Sequence, residues 1–298
     1  MAADWVERGA RIVRLAGADG APRMGVVLPG APTAVRALAQ PDALSAIEAG
    51  LPAGEVLVEA LDAETLELPA PWTLLAPVVA PETWCAGVTY ERSRDARLEE
   101  ANQDVKDVYA LVYEADRPEL FLKDAVGRRT AGPGGPIGVR SDGKWTVPEP
   151  ELVLFLGARG KVVGVTVGND VTARDIEAAN PLYIPQAKLF GGAAAIGPAI
   201  LVPDDWSQPF PIELAIRGAG GATLFEGATS TGRLKRGLQE LADWVVKENP
   251  VPAGSLLMTG TGLVPPDEYA LEAGHTVDIR IPGIGLLRNR AVPAADLT

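Results

Sequence analysis

Residues 145–175 read WTVPEPELVLFLGARGKVVGVTVGNDVTARD. Two carboxylates, Glu149 and Glu151, stand one residue apart at the head of an apolar run. Side chains of a strand alternate between its faces, so Glu149 and Glu151 project together and Pro150 points away. Proline has no N–H for a ladder, which predicts an edge or a strand start at Pro150. The chain then makes a hairpin-like return. Residues 162–167 read as a buried strand that delivers a third acid, Asp170, after Gly168 and Asn169. Three acids brought together at the ends of apolar strands repel one another unless a cation lies between them. A hard divalent ion with oxygen ligands and some retained water suits such a set. On spacing alone a second reading stays open: Glu149 and Glu151 solvated on an edge strand, and Asp170 an N-cap for the segment that follows.

Further candidates lie on either side of this stretch. Residues 117–123, RPELFLK, read as a strand with Glu119, Phe121 and Lys123 on one face and Leu120 and Leu122 on the other. Glu119 and Lys123 there either pair on a solvated face or face a cleft. After Asp170 a helix or turn begins. Arg174 within it is expected to pair with Asp175 or another acid. Prolines 181 and 185 preclude a long helix before Lys188. By itself Lys188 reads as a surface lysine; placed near three carboxylates it would neutralise charge, and in a partly dry site it would also serve acid–base chemistry. Residues 259–262, TGTG, follow a short strand and permit close approach of backbone to a ligand.

The ordered set E-P-E-L-x-x-x-x-G, G-N-D-V-T-A-R-D, Gln186-Ala187-Lys188 and Thr259-Gly260-Thr261-Gly262 resembles the fumarylacetoacetate hydrolase family, over roughly residues 81–292. The resemblance implies an α+β fold with a mixed β-roll catalytic domain, and a homodimer or higher homo-oligomer. It implies metal ligation by Glu149, Glu151 and Asp170. Mg2+ is the expected ion, with Mn2+ or Ca2+ as substitutes. It implies catalytic roles for Glu119, Lys188 and Lys123, and substrate contacts from Tyr90, Ser93, Gln186 and Thr261. In the family an Asn-Tyr pair and a lid His usually stand where this chain has Thr89-Tyr90 and Ser93. The lid His is the water-activating group of the hydrolases. Its absence, together with Glu119, favours elimination over hydrolysis. The text most resembles the family's sugar-acid dehydratases, which convert 2-keto-3-deoxy-D-arabinonate (the compound arising from D-xylonate) to 2,5-dioxopentanoate through a metal-stabilised enolate. The alternatives are an acylpyruvate-type C–C hydrolase or 2-oxo acid decarboxylase, and a non-catalytic metal-dependent binder of 2-oxo acids.

The remaining sequence bounds the setting. The chain has 298 residues, 47% of them hydrophobic, enough for a large domain with a smaller one. A formal charge of −12 argues against a nucleic-acid surface, which needs a basic face. One cysteine, Cys85, precludes an internal disulfide and predicts a reducing, cytoplasmic setting. The N-terminus reads unlike a secretory signal, and no apolar run has the length of a membrane span. Prolines at 69, 71, 77 and 81 predict a linker. This divides the chain into a small N-terminal α/β domain, residues 1–75, and a catalytic domain, residues 76–298. Residues 11–28 read as short strands around a turn at 17–20, and 33–38 and 42–49 as short helices. Residues 98–112 and 231–248 read as amphipathic helices. The single histidine, His275, reads as an exposed turn residue.

Overall fold

The computed structural model describes residues 7–91 and 111–298. Nineteen strands lie among them. They are β1 (Gly9–Ala16), β2 (Pro22–Val27), β3 (Val35–Leu38), β4 (Ala53–Val58), β5 (Thr73–Leu75), β6 (Glu82–Gly87), β7 (Glu119–Ala125), β8 (Thr130–Ala131), β9 (Pro136–Val139) and β10 (Thr146–Val147). Then come β11 (Pro150–Leu156), β12 (Val162–Asp170), β13 (Thr172–Ala173), β14 (Ala194–Pro203), β15 (Pro211–Arg217), β16 (Thr223–Ser230), β17 (Leu256–Met258), β18 (Thr276–Ile281) and β19 (Gly285–Pro293). The helices lying wholly within the described residues are short: α1 (Ala43–Glu48), α2 (Arg174–Ala179), α3 (Ile184–Lys188) and α4 (Leu238–Val246).

The large sheet runs β4-β3-β2-β1-β14-β12-β11-β17-β6-β7, with β5 on β1 and β8 on β14. A second sheet runs β16-β15-β18-β19-β9. Most pairs are antiparallel, while β14–β8, β17–β6 and β19–β9 are parallel. This is the α+β, mixed-sheet architecture expected from the sequence.

β11 sits centrally, between β12 and β17. Both of its faces are buried, which is why its sequence is an unbroken apolar run and not an alternating one. Leu152, Leu154 and Leu156 enter the core shared with Ile212, Leu214, Ile279 and Leu287 of the second sheet. Val153 and Phe155 enter the opposite core, which Ile12, Met24, Val26 and Ala46 cover from the N-terminal part. Pro150 is the first residue of this central strand, so of the two positions open to a proline it takes the strand start.

Three local expectations change. The helix expected at 33–38 is the strand β3, in which Val35 pairs with Val58 and is fully buried. A helix of six residues is marginal alone, and pairing between β2 and β4 gives this segment's backbone a better partner. The helix expected at 231–248 is a 3-10 turn (Thr231–Arg233) followed, after a break, by α4. Leu234 between them is extended and bridges to Tyr90. His275 is not exposed: its side chain is 12% accessible and its ring stacks on Tyr269. The helix expected at 98–112 lies outside the described residues except at its last turn. Among the described residues no helix is long and apolar enough to cross a membrane.

Candidate metal centre

The register of the central strands assembles the acids. Glu151 pairs with Gly168, and Pro150 with Asn169. Asp170 lies two residues beyond Gly168 on the same strand face, so it joins Glu149 and Glu151 on one side of the sheet. Two bonds hold this end of the hairpin. Asp170 N–H donates to Glu149 O at 3.0 Å, and Glu149 N–H donates to Asn169 Oδ1 at 3.1 Å. An oxygen from each of the three carboxylates lies within 4.8 Å of the others, and all three residues are buried.

The cationic side chains come from three other elements. Lys188, at the end of α3, donates to Glu149 Oε2 at 2.9 Å, Asp170 Oδ2 at 2.7 Å and Thr172 Oγ1 at 2.6 Å. Lys123, from β7, is fully buried, pairs with Asp170 Oδ1 and donates to Val171 O at 3.0 Å. Of the two arrangements left open for Lys123, the structure has the one beside the acidic cluster and not the strand-face pair with Glu119. Arg174, opening α2, donates through Nε to Glu149 Oε1 at 3.1 Å. Glu149 is thus one partner of Arg174, from within the acidic cluster, while the neighbouring Asp175 accepts from Lys144 N–H. Glu151 Oε2 accepts from Gly260 N–H at 2.7 Å, so the TGTG turn brings backbone to the site as its glycines suggested.

The electrostatics of the cluster favour a bound cation. Burial first, then the charges of Asp170 and Glu149, push the Glu151 carboxyl well above the ordinary range, against the opposing pull of Lys188 and Gly260 N–H. Lys188, Lys123 and Arg174 equal the three acids in number but bond Glu149 and Asp170, while Glu151 accepts from backbone; the cluster's buried oxygens suit a hard divalent ion. Burial and the Glu151 charge likewise raise the Tyr90 phenol.

The other candidates divide. Glu119 and Phe121 line the same cavity as the three acids, along with Lys188 and Thr261. Thr261 spends its hydroxyl on the backbone, donating to Pro150 O at 3.0 Å, and so ties the turn to the head of β11. Tyr90 is buried against Gly262. Gln186 is exposed and does not line the cavity; its backbone oxygen accepts from Arg140. Ser93 lies outside the described residues. Sequence reasoning missed Glu177, which is buried on α2 and lines the cavity beside Glu119. The signal was its spacing: Arg174 and Glu177, at i and i+3, share a helix face.

A profile of the fumarylacetoacetate (FAA) hydrolase C-terminal domain matches residues 82–292. A Haloferax volcanii protein named probable 2-keto-3-deoxyxylonate dehydratase is 46% identical over 214 residues, 72% of this chain and 73% of that protein. The 2-dehydro-3-deoxy-D-arabinonate dehydratase of Saccharolobus solfataricus is 40% identical over 214 residues, 71% of this chain and 72% of that protein. Among solved structures, a 2-keto-3-deoxy-D-arabinonate dehydratase complexed with magnesium and 2,5-dioxopentanoate superposes with a TM-score of 0.80. It is 32% identical, and the match covers 95% of this chain and 99% of that one.

Proposed function

The chain belongs to the fumarylacetoacetate hydrolase family, and on that premise we propose that it is a Mg2+-dependent dehydratase converting 2-keto-3-deoxy-D-arabinonate to 2,5-dioxopentanoate. The relatives named as dehydratases support this choice, as does the magnesium and product complex of the structural relative. The observation that carries it is Glu119, a carboxylate from β7 that lines the cavity of the acidic cluster without belonging to it. The single histidine is held against Tyr269 and is not among the lining residues, so it does not supply the water-activating group of a hydrolase.

In this reading Glu149, Glu151 and Asp170 hold the ion. When bound, Mg2+ polarises the 2-keto group and so acidifies C3. Elimination takes a proton from C3 and hydroxide from C4, and these leave as water. The C5 carbon and its hydroxyl then each give up a proton, while C3 and C4 each take one, and the aldehyde results. Lys188 donates to Glu149, Asp170 and Thr172 at 2.9 Å or less. In this reading it is the proton donor and Glu119 the base. Lys123 offsets the charge of Asp170 and fixes its orientation. Thr261 shapes the wall, and Tyr90 packs against Gly262 beside it.

The test incubates the Mg2+-loaded protein with 2-keto-3-deoxy-D-arabinonate and follows aldehyde. Turnover stops on chelation and returns with Mg2+ or Mn2+. Rapid cleavage of acylpyruvates with the sugar acid untouched overturns the reading in favour of a hydrolase. The same reading carries a cytoplasmic homodimer, checked by light scattering, and a small N-terminal domain over residues 1–75. A separate apolar cluster of Val13, Leu15, Val27, Val35, Val58, Leu61 and Leu66 supports that division, with Ala199 the one member from outside it.

A further inference from the structure

We propose that Gly87 is a positioning residue, whose missing side chain is the space that the Glu119 carboxylate occupies. Gly87 ends β6 and pairs directly with Glu119, the first residue of β7. A Cβ built on Gly87 stands 2.0 Å from Glu119 Oε2, 2.6 Å from Cδ and 3.3 Å from Cγ, and these are its three nearest neighbours. Carbon atoms in ordinary contact lie about 3.5–4.0 Å apart, so a methyl group and this carboxylate exclude each other. Both residues line the cavity that holds Glu149, Glu151 and Asp170.

The backbone does not explain the glycine. Gly87 is not among the positive-φ glycines, so any L residue adopts its conformation without strain. Glycine also weakens a strand, and one found there often marks a close approach. The approaching group here is the carboxylate of its own cross-strand partner. Laid across a bare backbone, the Glu119 side chain reaches past β6 to the cavity. With any side chain at position 87 the carboxylate is turned off this path. β6 thus sets where the carboxylate lies without supplying a reacting atom.

The inference rests on the acid–base role proposed for Glu119, and a double-mutant cycle separates the two. Gly87→Ala is expected to lower kcat by roughly 10²-fold, within the span of a displaced general acid–base group. Mg2+ affinity and the KM for the sugar acid stay near those of the parent. In a Glu119→Gln background the same substitution changes kcat by less than about threefold, because the group it displaces no longer acts. Equal losses in both backgrounds overturn the positioning role. Near-normal turnover by Glu119→Gln alone removes the acid–base reading instead. The steric claim is then judged by thermal stability, with Glu119→Ala deleting the atoms that the new Cβ meets. Because alanine otherwise suits a strand better than glycine, Gly87→Ala is expected to give a less favourable change in Tm with Glu119 present than in the Glu119→Ala chain. Equal changes in Tm in the two chains mean that Glu119 does not fill the space, and the proposal falls. This arm holds even where Gly87→Ala alone is too unstable to assay.

Discussion

Glu151 illustrates how one residue's surroundings become a property of the whole protein. Its carboxyl is raised by burial, then by Asp170 and Glu149. A group whose folded pKa exceeds its unfolded value, about 4.3 for glutamate, binds a proton in the folded chain where the unfolded chain binds none. Stability of the metal-free protein therefore falls as pH rises above that value. Mg2+ must displace the same proton, so its binding releases protons and tightens with pH. Thermal unfolding of chelated protein across a pH series checks the sign, and a Tm that climbs through the window contradicts it. Glu119 makes a separate prediction. Glu119→Gln lowers kcat by roughly 10²–10⁴-fold with Mg2+ affinity intact, as measured by titration calorimetry. Loss of metal binding in that variant would make Glu119 a ligand.

At the scale of the element, β11 joins core and site. Its odd-numbered side chains run from Glu151 through Val153 to Phe155, and its even-numbered ones from Leu152 to Leu156. The acids therefore continue a face that is apolar further along, and packing of Val153 and Phe155 sets their height over the sheet. Leu154, fully buried between the sheets, is expected to cost about 2–5 kcal/mol when cut to alanine, read from denaturant unfolding with unchanged slope. A loss below that range means that the two sheets close around the cavity. α2 and α3 are too short to be stable alone. Their hold comes in part from the site, where Arg174 and Lys188 anchor them to Glu149.

At the scale of the molecule, residues 9–16 form β1, and β1 pairs with β14 in the sheet that carries Asp170 on β12. A chain of residues 76–298 leaves residues 200–203 of β14 without the β1 ladder and uncovers Ile196, Ile200 and Phe155. Exposed apolar edges associate, so the shortened chain is expected to aggregate. Size-exclusion chromatography checks this, and a soluble, Mg2+-binding 76–298 fragment would show that the N-terminal part is dispensable for the site.

Much of this was legible in the chain itself. The E-P-E and G-N-D motifs, each at an end of an apolar strand, set which face each acid takes, because strand alternation is a local property of covalent geometry; their convergence follows from the pairing of β11 with β12. Short helices and long-range partners are not. Residues 33–38 became a strand because neighbouring strands offered ladder bonds, and 231–248 broke because Leu234 found a backbone partner in Tyr90. Lys123 bonding Asp170, Arg174 bonding Glu149, Glu177 entering the cavity and Glu119 lying over Gly87 bring together residues from different elements. Only tertiary structure decides such contacts, since no periodicity records which distant backbone will pass within a side chain's reach.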